Sequence, residues 1–291
     1  MAPRTRLNIA KKDIVKAIEA LGKRVFVRAE IDDLLSQNRE FWRLTQGTTT
    51  NKFIEYLVEN TQLESYRFDL PYRPTIRYCW GDVPTLEVVQ SLRPDGYFSH
   101  FTAMQLHGLT DQIPKTIYLN FEQKLSGGGG QLSQEGINRA FHSKCRVSNN
   151  VTTFREFRIC VLNGQNTGQL GVTTIETNEG SHLPVTNIER TLIDATVRPI
   201  YSGGPFEVAR AFAAAHEQLS VNRLVSYLRK LNFTYPYHQA IGLYLERSGA
   251  YSHSQLDLLR QFEIEFDFYL AHKMGETEYV PEWRLFVPKG F

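Results

Sequence analysis

The sequence predicts a mixed α/β protein: an amino-terminal winged helix-turn-helix followed by a larger mixed α/β domain. Three observations carry that reading. Residues 12–80 run through three helical patterns and then two strand-like runs separated by a turn with two prolines. Beyond residue 83, helical and strand-like segments alternate without regular βαβ units or internal repeats. The 291 residues are 42% apolar and 22% charged, the composition of a globular protein of one large or two ordinary domains. We place the boundary at residue 83, with 1–83 as the first domain and 84–291 as the second.

In the first domain, Lys12–Leu21 sets Ile14, Val15, Ile18 and Leu21 on one helical face, and Gly22 suits the end of that helix. Val25-Phe26-Val27 reads as a short extended piece. Ala29–Leu35 places Ile31, Leu34 and Leu35 on one face, with acids at Glu30, Asp32 and Asp33 where the helix dipole favours them. Gly47-Thr48-Thr49-Thr50-Asn51 is a helix start, because hydroxyls that can cap free N–H groups directly precede Phe53, Ile54, Leu57 and Val58. Leu63–Phe68 and Thr75–Trp80 are strand-like, and the turn between them holds Pro71 and Pro74. Val83–Leu92 reads as a connecting helix with Pro84 near its first turn.

In the second domain the predicted helices are Ser99–Leu106 (capped by Ser99), Ser133–His142, Asn187–Thr196, Phe206–His216, Val221–Lys230 (capped by Ser220) and Tyr237–Arg247. Predicted strands are Thr116–Phe121, Phe154–Leu162 and Leu170–Glu176. Ile264, Phe266, Phe268 and Leu270 alternate with polar or amphipathic residues, which predicts a half-buried strand. The alternating Trp283, Leu285 and Val287 are placed to pair with it.

Composition narrows the function classes. No stretch approaches the roughly 20 apolar residues of a membrane span, and the first residues lack the apolar core of a secretory signal. Cys79, Cys145 and Cys160 are odd in number and form no CxxC pair, so neither a disulfide framework nor a zinc site is expected. A reducing cytoplasm fits. Net charge is only +2. Residues 1–28, however, hold eight basic side chains (Arg4, Arg6, Lys11, Lys12, Lys16, Lys23, Arg24, Arg28) against two acidic ones (Asp13, Glu19), an excess suited to a phosphate backbone.

Three helices followed by a β-hairpin place the third helix in a major groove with the hairpin beside it. The outward side of that helix is Thr49, Thr50, Asn51, Lys52, Glu55, Tyr56 and Glu59. Asn51 can pair with an adenine edge, and Thr49 or Thr50 with a base or phosphate. Lys52, with Arg73 and Arg77 of the wing and the basic Arg4, Arg6, Lys11 and Lys12, is expected to hold phosphates. A winged helix used for protein contact is the competing reading.

Motifs for chemistry are weaker. Gly127–Gly130 resembles a phosphate-binding loop, but Gln131-Leu132-Ser133 stands where Lys-Ser/Thr belongs, so a flexible loop is the simpler account. Neither GxSxG nor HExxH occurs. His100, His107, His142 and His182 lack zinc-ligand spacing. Glu263, Glu265 and Asp267 alternate as clustered carboxylates of two-metal nucleases do, and as the exposed face of an edge strand does. Arg190 and Asp194 are spaced to pair on one helix, worth under about 1 kcal/mol on a surface. No catalytic residue, metal or cofactor is expected from these patterns.

Four stretches carry a family resemblance: Tyr97–Asp111 followed by Pro114; Glu189–Asp194 with Arg198-Pro199 and Tyr201–Gly204; Ile241–Gly249; and Trp283–Pro288. In this order, behind a winged helix, they resemble the AbiEi family, antitoxins of type IV toxin–antitoxin and abortive-infection systems. The connection Ser36–Gln46 and the Gly127–Gly130 loop depart from a compact version of that pattern. The resemblance implies a winged helix that binds double-stranded promoter DNA and represses its own operon. It implies a second domain that counters a nucleotidyltransferase-like toxin without a stable complex, and no membrane partner. It marks Ser99, Thr102, His107, Asp111, Glu189, Arg190, Thr191, Asp194, Tyr201 and Glu246 as motif positions of that domain. Two alternatives stay open: a nucleic-acid-processing enzyme using Asp194, Glu189 or the Glu263–Asp267 carboxylates, and a protein-interaction adaptor.

Overall fold

A computed structural model describes residues 5–124 and 132–291. The chain divides into two compact units, Met1–Pro94 with Thr152–Arg155, and Asp95–Val151 with Glu156–Phe291. Arg4 and the Gly127–Gly130 loop singled out above lie outside the described residues.

The first unit has the element order of a winged helix: α1 (Arg6–Ala20), β1 (Val25–Phe26), α2 (Arg28–Asn38), α3 (Thr50–Asn60), β2 (Leu63–Phe68), β3 (Thr75–Trp80) and a short α4 (Thr85–Gln90). α1 starts at Arg6 rather than Lys12 because Thr5 caps it, its Oγ1 accepting from Asn8 N at 3.3 Å. Gly22, at φ +61°, follows its end in the left-handed conformation that glycine adopts without penalty. The three strands lie in the order β1-β3-β2, with Val25 opposite Cys79 and the β2–β3 hairpin in register from Leu63↔Trp80 to Phe68↔Thr75. Ile14, Ile18, Ile31, Leu35, Phe53 and Leu57 recur at helical spacing and bury one face of each helix with Tyr78 and Trp80 of β3. The long connection before α3 has a packing role. It sends Trp42 and Leu44 into this core, and the Trp42 ring stacks on Phe53 at 5.7 Å.

The other face of β3 overturns one expectation. Arg77 does not project from the wing; it is buried at 8% exposure. Its Nε and Nη2 donate to the Ser91 carbonyl (3.2 and 2.7 Å), Nε also reaches Ser91 Oγ (3.1 Å), and Nη1 donates to the Ile76 carbonyl (2.9 Å). Ser91 closes α4, so the guanidinium docks on the electronegative carbonyl end of that helix. A side chain saturated in this way has no phosphate to hold.

The second unit contains β4 (Tyr97–Phe98), α5 (His100–Leu106), β5 (Thr116–Gln123), α6 (Gln134–His142), β7 (Phe157–Gln165), β8 (Val172–Glu176), β9 (His182–Thr186), α7 (Ile188–Val197), α8 (Pro205–Ala214), α9 (Val221–Leu231), α10 (Tyr237–Ser248), α11 (His253–Arg260), β10 (Phe268–Tyr269), β11 (Thr277–Val280) and β12 (Leu285–Pro288), while β6 (Val151–Phe154) belongs from Thr152 onward to the first unit. Within this unit β7-β5-β4-β9-β8 lie in that order in a mixed sheet; β5–β7 and β4–β9 are parallel, β4–β5 and β8–β9 antiparallel. A second sheet runs β10-β12-β11, with Phe268↔Leu285 parallel and Val280↔Leu285 antiparallel. Helices α7 to α10 bury Leu192, Ile193, Val208, Phe212, Leu224, Ile241 and Tyr244 in one core.

Two predicted strands are corrected. Phe154–Leu162 is two strands, β6 and β7, because Arg155 turns the chain at φ +53°. Of Ile264–Leu270 only Phe268–Tyr269 pairs, with β12. The backbone before it is satisfied by side chains instead of a strand partner: Gln134 bonds both N–H and C=O of Asp267 (2.8 and 2.9 Å), Gln239 Nε2 donates to the Phe266 carbonyl (3.0 Å), and His238 Nε2 to that of Glu263 (3.1 Å).

Candidate functional site

The amino-terminal end of α3 is the first candidate. Thr49 is its N-cap, and its Oγ1 accepts from Lys52 N at 3.4 Å, so that hydroxyl already has a structural task. Thr50 donates its hydroxyl to the Asp32 carboxylate, and Asn51 Oδ1 accepts from the Arg28 guanidinium. These bonds tie the start of α3 to α2. Lys52 Nζ donates to the Gly47 carbonyl at 3.2 Å, and the Tyr56 hydroxyl donates to Asn8 Oδ1 of α1 at 2.9 Å. Burial pushes the Tyr56 phenol pKa up. Asn51, Lys52, Glu55 and Glu59 are exposed, as are Arg6, Lys11 and Lys12 of α1 and Arg73 of the turn between β2 and β3. These exposed side chains of the first unit comprise five basic groups, Arg6, Lys11, Lys12, Lys52 and Arg73, together with Asn51 and the two glutamates, which lie along α3 after its first turn.

Sequence reasoning missed Arg28 as a member of this set. Its only signal was its place in the basic excess at the amino end. The contact with Asn51 is tertiary and leaves no periodicity to read.

The second candidate is the cluster around α7. Asn187 starts the helix as expected, its side chain accepting from Arg190 N at 3.0 Å. The Arg190–Asp194 pair, expected at the surface, is largely withdrawn from it: Arg190 is buried and Asp194 half-buried, their side chains 7% and 13% exposed, with Nε to Oδ1 at 2.8 Å. Nη1 of Arg190 also donates to Thr167 Oγ1 (3.1 Å) and the Leu170 carbonyl (2.7 Å). Burial alone would lower the Arg190 pKa, but Asp194 beside it raises the net value. Thr167 passes the chain on, donating its hydroxyl to Glu122, whose carboxylate also accepts from the N–H groups of Thr167 (2.9 Å) and Gln169 (3.1 Å) and from the Tyr97 hydroxyl (3.2 Å). Burial opposes ionisation of Glu122, and these donors outweigh it, so its pKa falls. Sequence reasoning missed Glu122 and Thr167, which lie far from α7 in the chain.

The remaining motif positions are mostly structural pegs. Glu189 is buried and accepts from Ser220 N at 3.0 Å, at the start of α9, with Arg223 Nη1 at 3.4 Å. The Thr191 hydroxyl donates to the Thr186 carbonyl (2.9 Å), which also accepts from His107 Nε2 (2.6 Å). Thr102 Oγ1 accepts from Tyr118 N (2.8 Å), the Tyr201 hydroxyl from Ser148 N (2.8 Å), and Glu246 Oε2 from Trp283 Nε1 (2.8 Å). Asp111 is exposed.

Ser99 precedes α5, but its side chain does not cap it; Oγ hydrogen-bonds His100 Nδ1 at 2.8 Å. His100 sits at φ +52°, a left-handed conformation uncommon for histidine, and burial drives its pKa down to about 4. Its ring meets Tyr201 edge-on at 5.4 Å. The cluster therefore combines a largely buried ion pair, a neutral imidazole and an ionised glutamate. Among the described residues no group of three or more His, Cys, Asp or Glu is placed to hold a metal. No helix among them is long and apolar enough to cross a membrane.

No family model matches the chain, and no curated protein matches it. Among solved structures, the crystal structure of the RV2827C protein from Mycobacterium tuberculosis is similar at a TM-score of 0.61 and 15% sequence identity, over 98% of this chain and 93% of that one. At that identity the likeness concerns the fold.

Proposed function

We propose that the first unit binds double-stranded DNA through α3 and that the chain is a transcriptional autorepressor and antitoxin. The observation that carries the DNA reading is the exposed, capped start of α3, presenting Asn51 and Lys52 in the same unit as the basic α1 and the Arg73 turn. Asn51 supplies base contact, while Lys52, Arg73, Lys11, Lys12 and Arg6 hold phosphates. Glu55 and Glu59 repel phosphate, so the footprint centres on the first turn of α3 rather than on its whole length.

The test is a gel shift with the DNA upstream of the protein's own reading frame. A sequence-dependent, salt-sensitive shift is expected. Lys52→Ala or Arg73→Ala should weaken binding on all sequences and reduce the salt slope by about one each, whereas Asn51→Ala should mainly relax sequence preference. A shift that is absent, or indifferent to salt and sequence, refutes the reading.

The antitoxin role rests on the resemblance to the AbiEi family. We propose that the second unit counters a nucleotidyltransferase-like toxin without forming a stable complex with it and without catalytic chemistry of its own. The engagement of Glu189, Arg190 and Thr191 in holding α7 supports a scaffolding role for those motif residues. Turnover of tRNA or DNA by the purified chain, lost in Asp194→Ala, would favour the enzyme reading instead.

A further inference from the structure

A cleft of about 600 Å³ opens in the second unit between the chain joining α9 to α10 and the segment after α11. None of the positions marked by the family resemblance lines it, although Glu263 and Glu265 of the alternating carboxylate stretch do. Its volume is that of a small-molecule site, and its walls include the rings of Phe233, Tyr235, Phe262 and Phe266. We propose that this cleft binds an organic cation, a ligand carrying a guanidinium or alkylammonium head.

Three observations point to that charge class. First, Glu263 and Glu265 line the cleft, are exposed, and form no ion pair among the described residues. Second, Phe233, Tyr235, Phe262 and Phe266 line the same cleft, and the face of an aromatic ring carries the negative side of its quadrupole, which attracts cations and repels phosphate. The protein itself already uses one of these rings in this way, because the Arg229 guanidinium lies over Phe262 at 5.4 Å from its centroid. Third, the histidine in the cleft does not compete. His238 stacks on Phe262 at 5.0 Å, burial lowers its pKa to about 4, and its Nε2–H is donated to the Glu263 carbonyl. At neutral pH the lining then holds one cation, Arg229, against two carboxylates. An anionic planar ligand such as a nucleotide would meet those carboxylates unpaired.

The site is independent of the DNA-binding reading and is tested without DNA. Isothermal titration of the full chain uses N-ethylguanidinium and tetramethylammonium as probes and adenosine monophosphate as the anionic control. Saturable binding of at least one cation is expected, weakened about tenfold in the Glu263→Gln/Glu265→Gln double variant. Both residues are exposed, so the variant should keep its thermal unfolding profile, which is measured alongside. Arg229→Met removes the resident cation and is expected to tighten the cationic probe. The proposal is overturned if neither cation binds saturably, if the double variant binds them unchanged, if Arg229→Met abolishes cation binding, or if adenosine monophosphate binds more tightly than both.

Discussion

At the scale of single residues, burial decides what the charged side chains of this protein do. Arg190 and Asp194 would be a minor pair on a surface; largely buried, each is the other's main compensation. Arg190→Met should therefore cost about 3–5 kcal/mol, since it strands the Asp194 carboxylate. Adding Asp194→Leu to that variant should recover much of the loss, because the double change leaves no uncompensated charge. Urea denaturation of the single and double variants measures this, and strictly additive penalties would contradict it. His100 gives a pH signature. Its folded pKa of about 4 lies below the ordinary 6.5, so the unfolded chain binds the proton more readily. The contribution is full above 6.5 and is lost as pH falls from there toward 4. Between pH 7.5 and 5 this removes about 2 kcal/mol of stability. His100→Asn keeps a residue tolerant of the left-handed backbone and abolishes the titration, so its urea midpoint should fall less over that interval. Glu122, with its pKa lowered from 4.5, titrates below the interval and does not obscure the comparison.

At the scale of elements, the sharpest test lies where α10 meets the turn Pro281–Trp283. A Cβ on Gly242 would stand 2.2 Å from the buried Trp283 ring. In an isolated helix, Gly→Ala stabilises by about 1 kcal/mol. Here the ring has to move, and Gly242→Ala should instead destabilise by about 1–3 kcal/mol or more. A thermal melt that rises in this variant would show that the helix does not approach Trp283 so closely. The same comparison explains which elements could be read in advance. α3 was legible because its hydroxyl cap and its apolar spacing are both local; the β2–β3 hairpin was legible because prolines punctuate it. β9 was missed because Pro184 argues against a strand interior. α11 carried a readable signal that went unused, the reciprocal Ser252–Gln255 capping box. The Glu263–Asp267 stretch alternates like a strand, yet its partners are the side chains of Gln134, Gln239 and His238, which no local pattern announces. Likewise, the burial of Arg77 depends on α4 covering the second face of β3.

At the scale of the whole molecule, the proposed functions fall on different units. The basic excess of residues 1–28 belongs to the unit with α3, while the chain as a whole is nearly neutral at +2. DNA affinity should then come from local charge and be lost by changes there alone. The full-length Lys52→Ala/Arg73→Ala variant is accordingly expected to lose repression of a reporter driven by its own promoter. It should still restore growth when co-expressed, from an unrelated promoter, with the toxin of the neighbouring reading frame. Both side chains are exposed, so neither change removes packing that the second unit needs. Protection that falls in parallel with repression would mean that the chain counters the toxin by limiting its transcription, and the second unit would need a different task. Protection that persists without repression assigns the neutralising surface to residues beyond the winged helix.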